Sequence, residues 1–212
     1  MSESVTPQRF HEVDWRAVRD DASTHFRTGP FAAGVALVNA IGRLADDANH
    51  HPDVDLRPDG VTVRLRTEGP GGLSEREVVL AGQISEAARE LSVPVDLTGL
   101  QMVQVAIDAL VIPEVLPFWR AVLGYRKVGD EDLIDPHFQG PPLWFQQMDA
   151  PRPQRNRIHI DVYVPHDQAK ARVAAAIAAG GHVVSDENAP GWWTLADAEG
   201  NEVDVASWPD RD

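Results

Sequence analysis

The sequence predicts an α+β chain of two units, the first ordered ββαββα and the second a βαβββ motif used twice. Three observations predict this. Short alternating apolar runs are interleaved with apolar stripes at helical spacing. The segment "LSVPVDLTGL" interrupts both periodicities near Leu97. Beyond it, the order of strand, helix and strands recurs within residues 101 to 208. The expected units are therefore 1–96 and 97–212.

Composition agrees. A chain of 212 residues has room for two units of about 100 residues each, and 43% apolar with 25% charged residues is the balance of a chain that buries real cores. A formal net charge of −14 argues against nucleic acid or an anionic membrane surface as partner. The absence of cysteine excludes disulfides, thiolate nucleophiles and sulfur-ligated metals. The stretch "MSESVTPQRFHEVD" lacks a signal-peptide pattern, and no apolar run reaches the roughly 18 residues of a membrane span. A cytoplasmic protein is expected.

Taken in order, "VDWRAVRDDASTHFRT" holds two short extended segments with a turn at its paired aspartates. Pro30 suits a first helical position, and Phe31, Val35, Val38, Ile41, Ala45 and Ala48 mark the stripe of an amphipathic helix. Val54 and Leu56, then Val61, Val63 and Leu65, alternate with polar residues on either side of Pro58-Asp59-Gly60, which reads as a hairpin. Ser74 and Glu77 have capping-box spacing, opening a second helix whose stripe runs through Val78 or Leu80, Ile84, Ala87 and Leu91. In the second unit "MVQVAIDAL" reads as a strand, "PEVLPFWRAVLG" as a helix ended by Gly124, and "PPLWFQQMD" as a strand. "RIHIDVYV", "DQAKARVAAAIAAGG", "HVVSD", "GWWTLAD" and "NEVDVASW" then read as strand, helix and three strands.

The chemistry concentrates at His50 and His51. Pro52 disfavours helical geometry at His51, so the first long helix should end there with His50 in its last turn. Imidazoles at the carbonyl end of a helix are suited to proton exchange near neutral pH. Alone, the pair also fits a plain reading, in which one ring caps the helix and the other is solvated.

The pattern around the pair is more specific. "ADDANHHPD", the hairpin, "GGLSERE" and an apolar helix closely resemble the pterin-4a-carbinolamine dehydratase family over residues 13 to 91. The resemblance rests on His50, His51 and Pro52, on Asp46 four positions before them, and on the run from Gly72 to Arg76. It implies a four-stranded antiparallel sheet with helices on one face. It also implies loss of water from a 4a-hydroxytetrahydropterin to give the quinonoid dihydropterin, with no metal or redox cofactor. His50 and His51 would be acid/base groups and Asp46 an orienting carboxylate, with Pro52 and Thr67 against the substrate. Three positions depart from the family: Glu68 stands where a third histidine is usual, Pro58 where an aromatic ring is usual, and Glu77 where aspartate is usual. Glu68 can serve as a carboxylate acid/base or lie solvated at a strand end, whereas the box with Ser74 accounts for Glu77 without catalysis.

"FWRAVLGYRKV" and "LADAEGNEVDVAS" are similar to the helix and last strand of the vicinal oxygen chelate superfamily, and "FQQMDAPRPQRNRIHIDVYV" resembles its glyoxalase-like subgroup. The resemblance covers about 102 to 208 and implies two βαβββ modules forming a cup. The superfamily's metal positions fall on Gln104, on Gln146 or Gln147, on His159 and on Asp204. Glutamine amides are weak neutral ligands, so no metal is assigned. Alternation puts His159 and Asp161 on one strand face and Asp204 with Glu202 on another, and Trp192 and Trp193 are candidates for a pocket or for core.

The expected function is thus a pterin carbinolamine hydro-lyase carrying a glyoxalase-like small-molecule-binding domain, and assembled as a homo-oligomer. Two alternatives stay open at this point. One is a pterin-binding protein without catalysis, the other a metal-dependent lyase or dioxygenase working in the cup.

Overall fold

The computed structural model describes residues 5–6, 8–18, 21–66, 72–151 and 160–207. The chain divides into two compact units, Met1–Met102 and Val103–Asp212.

In the first unit a short helix, α1 (Gln8–His11), precedes β1 (Arg16–Val18) and β2 (Asp21–Arg27). Then come α2 (Phe31–Ala48), the hairpin of β3 (Asp53–Arg57) and β4 (Gly60–Arg66), and α3 (Glu75–Glu90). The sheet order is β1-β2-β4-β3, with every neighbouring pair antiparallel. Strand alternation decides its faces: Ala22 and Phe26 of β2 and Val61, Val63 and Leu65 of β4 are buried in the core with Leu37, Ile41, Leu80 and Ile84 of the helices. Ser23, His25, Thr62 and Arg64 face away from the helices, whereas Thr24 lies buried on the core face, its hydroxyl donating to Asp14 O at 3.0 Å. Gly34 permits the close approach of α2 to the hairpin, since a Cβ there would lie 2.5 Å from Leu56 Cδ1.

The helical stripes turn out rotated from the expected ones. α2 buries Gly34, Leu37, Ile41 and Ala45, leaving Phe31 and Val35 on the exposed side. A run of apolar residues that nearly surrounds one turn lets periodicity choose between faces, and packing against the sheet makes the choice. Pro30 is the cap rather than the first helical residue. α3 buries Ala88 in place of Leu91, which is exposed just past the helix end. Two fully buried aromatic residues ahead of the sheet, Phe10 and Trp15, complete the core, and Trp15 Nε1 donates to Ser85 Oγ at 3.1 Å.

The segment expected as a linker is docked in part. Val93 is buried in the first core, Val95 bridges Phe26, and backbone bonds join Arg27 N to Pro94 O and Asp96 N to His25 O. β1 pairs only with the first half of β2, so the second half has an open edge for this segment to satisfy.

The second unit is a βαβββ motif twice over. The first copy contains β5 (Val105–Ala109), α4 (Ile112–Leu123), β6 (Arg126–Val128), β7 (Asp132–Ile134) and β8 (Leu143–Gln147). The second contains β9 (Ile160–Tyr163), α5 (His166–Ala178), β10 (His182–Ser185), β11 (Trp192–Ala196) and β12 (Glu202–Ala206). The sheets run β5-β8-β7-β6 and β9-β12-β11-β10, with first and last strands of each copy paired in parallel. One core joins the copies, and Trp119 Nε1 on α4 donates to Asp197 Oδ2 at 2.9 Å in the other copy. Glu199 accepts from the backbone N–H groups of Leu110 and Val111 at 2.7 to 2.9 Å, where α4 begins. The short strands β6 and β7 left no readable alternation in the sequence.

Candidate functional site

The loop after α2 positions the histidines. Asn49 adopts the left-handed conformation, with φ of 47°, and the N–H of His50 bonds the carbonyl of Ala45 at 3.0 Å. This is a Schellman-type ending. His50 accordingly sits just beyond the helix rather than in its last turn, because the left-handed Asn49 stops the chain before Pro52 has to.

The two imidazoles part company there. His50 Nε2 lies 3.2 Å from Glu77 Oε1, with the side chains only 12% and 2% exposed. His51 Nε2 lies 3.1 Å from Asp46 Oδ1, with both side chains largely in solvent.

Glu77 is held by its own helix. Its Oε2 accepts from the Ser74 backbone N–H at 2.7 Å and from Ser74 Oγ at 2.6 Å, a capping box that leaves Oε1 turned toward His50. Arg76 from the same turn donates to the carbonyls of Ala48 and Asn49, tying the start of α3 to the end of α2. The run from Gly72 to Arg76 therefore does two jobs locally: it starts a helix and fixes that start against the histidine loop. At 3.2 Å the two side chains are within ion-pair distance, although Nε2 and Oε1 are not aligned for a hydrogen bond to each other.

Asp46, His50 and His51 are thus brought together at one end of α2, with Pro52 leading into β3. Thr67 and Glu68 lie outside the described residues. A groove of about 440 Å³ runs along the seam of α2 and α3, between Leu44, Ala48, Arg76 and Val79, and neither histidine lines it. Pro58 occupies the β3–β4 turn, opposite in the strand direction to the histidine loop.

In the second unit, Val203 and Val205 of β12 and Ile160 and Val162 of β9 pack on the core, which sets Asp204 and Asp161 on the helix-free face. They are direct cross-strand neighbours, and Asp204 Oδ1 accepts from Thr194 Oγ1 at 2.6 Å. Trp193 packs on the core, whereas Trp192 is exposed on the other face. Gln146 is exposed opposite Asp108. Gln104 precedes β5 and is exposed. The amide of Gln147 is spent on backbone carbonyls, donating to Leu110 O at 2.7 Å and Met148 O at 2.8 Å. His159 lies outside the described residues. Among the described residues no group of three or more His, Asp or Glu is placed to hold an ion, and the described donors do not fit the superfamily's metal.

With this geometry in place, comparison with known proteins separates the two units. The family model described as pterin 4 alpha carbinolamine dehydratase matches residues 1–87. A protein of Nocardia farcinica, provisionally named a pterin-4-alpha-carbinolamine dehydratase, is 42% identical over 76 residues, which is 36% of this chain and 80% of that protein. The chain belongs to the pterin-4a-carbinolamine dehydratase family. A similarly named protein of Chloroflexus aurantiacus is 35% identical over 39% of this chain and 88% of its own length. The model of a glyoxalase-like domain matches residues 104–206, so this family member carries such a domain after its dehydratase unit. Among solved structures, a transcriptional coactivator/pterin dehydratase from Brucella melitensis aligns with TM-score 0.37 and 19% identity, over 41% of this chain and 99% of that one. A glyoxalase-related enzyme from Fulvimarina pelagi aligns with TM-score 0.41 and 17% identity, over 52% and 90%.

Glu77 is the residue that sequence reasoning set aside. Its capping role is visible in four consecutive residues, but its second oxygen meets His50 only through the packing of α3 on the α2 loop. The one local signal was the substitution itself, an acidic side chain kept at a position where the family uses another acid.

Proposed function

We propose that the first unit dehydrates a 4a-hydroxytetrahydropterin by general acid/base catalysis, and the observation that carries the reading is the buried His50–Glu77 pair beside His51. Hydroxide is a poor leaving group. An acid must therefore protonate the 4a-oxygen as the C4a–O bond breaks, while a base removes the N5 proton and the N5–C4a double bond forms. Water and the quinonoid dihydropterin are the products.

His50 and His51 share these two duties. Glu77 holds the His50 ring in one orientation, and Asp46 orients His51 at the solvent side, where protons are exchanged with water. Glu68 is the third proton carrier, in the position where the family uses histidine, and Pro52 and Thr67 flank the substrate. The glyoxalase-like unit binds a small molecule on its helix-free sheet faces, with Gln104, Gln146, His159 and Asp204 as polar contacts. The assembly is a cytoplasmic homo-oligomer, and a monomeric mass in solution would contradict that part.

The test is the ultraviolet decay of the carbinolamine, followed against buffer. Wild type should accelerate it, and His50→Ala and His51→Ala should each lose about 10²- to 10⁴-fold of the acceleration. Glu68→His should keep or raise the rate. Indifference to both histidine changes would end the proposal, and pterin binding without acceleration would point to a binding protein instead.

A further inference from the structure

The helix-free face of the first sheet is rich in guanidinium groups, although the chain as a whole carries a formal net charge of −14. Most of these groups are answered by a carboxylate. Arg66 makes two bonds of 2.6 Å to Asp21 and approaches Asp53 at 3.3 Å, Arg57 pairs with Asp55, and Arg27 pairs with Asp96. Arg16 and Arg64 have no ion pair among the described residues. Arg16 uses Nη1 on the carbonyl of its neighbour Trp15 at 2.7 Å.

These two arginines are not scattered. Register places Arg16 directly across from Ser23 on one side and Arg64 directly across from Ser23 on the other. All three side chains share the face away from the helices, since Ala22 beside Ser23 and Val63 and Leu65 beside Arg64 are in the core. The arginine backbones are about 10 Å apart, two strand spacings, with a short hydroxyl between two long cationic arms. Ser23 is only 5% exposed, and its hydroxyl has no hydrogen-bond partner among the described residues. Two like charges straddling this hydroxyl repel. The aspartate nearest this row, Asp53 opposite Arg64, is engaged by Arg66.

We propose that Arg16, Ser23 and Arg64 form a binding site for the oxyanion group of a small ligand, a phosphate or a carboxylate. The Ser23 hydroxyl donates from the floor and the two planar guanidiniums close on the oxygens from either side, the geometry in which arginine binds such groups most strongly. One anion then satisfies the hydroxyl and offsets the repulsion together. The site lies outside the His50–Glu77 constellation, so it stands or falls independently of the dehydratase reading.

The experiment is a backbone amide NMR titration of the full chain with inorganic phosphate and, separately, acetate, each against chloride at matched ionic strength. Saturable shifts at Arg16, Ser23 and Arg64 are expected with at least one of the two anions, and the tighter of them identifies the ligand group. Arg64→Gln and Arg16→Gln should each weaken binding about tenfold. Ser23→Ala should weaken it while leaving thermal stability equal or higher, because the hydroxyl it removes has no partner to lose. No saturable shift with either anion beyond that of chloride would overturn the site. An affinity unchanged in Arg64→Gln would overturn it as well, by showing that the anion sits elsewhere.

Discussion

His50 and His51 are neighbours in the chain with similar carboxylate distances, 3.2 Å and 3.1 Å, yet they live in different physical settings. The His50–Glu77 pair is withdrawn from water, so its charges are weakly screened. The His51–Asp46 pair is a surface contact between groups that water solvates equally well apart. The difference teaches that an ion pair's distance says little about its worth: burial and additional donors decide, and Glu77 has both, with two bonds from Ser74 besides the histidine.

That contrast can be broken by mutation. Glu77→Ala removes the acceptor of two Ser74 donors and leaves the buried imidazole without its carboxylate, and should lower unfolding free energy by about 3 kcal/mol. Chemical denaturation measures it, with the midpoint falling and the slope unchanged; a loss as small as a surface substitution would show that water substitutes freely at His50. His51→Ala should cost no more than about 0.5 kcal/mol by the same measurement, while under the proposed mechanism it should slow carbinolamine decay strongly. If His51→Ala destabilised the chain as much as Glu77→Ala, the distinction between a buried and a surface pair would fail.

A third carboxylate, that of Asp96, sharpens the same point at the smallest scale. Hydrogen bonds from Thr98 and from Arg27 lower the Asp96 carboxyl from its ordinary 3.8 to about 2. A depressed carboxyl adds stability that is present above its unfolded value and lost as pH falls through about 2. The backbone bonds of residues 93–96 to β2 should therefore survive mild acid, with amide exchange of Asp96 rising only toward pH 2. Its partner Arg27 is 68% exposed, which keeps the energetic effect slight, and Asp96→Asn should leave global stability almost unchanged. A large drop would mean that the docked segment depends on this charge rather than on its backbone bonds and on Val93.

Much of the architecture was legible because it is written locally. Alternation marked the β3–β4 hairpin, spacing marked α2 and α3, Gly124 marked the end of α4, and the repeat of the βαβββ order emerged once the interruption near Leu97 was seen. Legibility failed where an element is too short to show a period, as in α1, β6 and β7, or where several faces of a helix are apolar, as in α2. At the site, the Ser74–Glu77 box was readable from spacing and the roles of the histidines and Asp46 from the family resemblance, whereas the approach of Glu77 to His50 was not.

By itself, then, the sequence determined where the longer helices and strands form, that the chain has two units, and which residue types are available for proton exchange. These depend on neighbours within one turn or one hairpin, and such interactions are encoded at fixed spacing. Only the tertiary structure decided which face of α2 meets the sheet, which histidine is withdrawn from water, that Gln147 serves backbone carbonyls, and that Arg16 and Arg64 stand on either side of Ser23. Each of those outcomes joins residues far apart in the chain, and their energies come from burial and strand register, which no local pattern records.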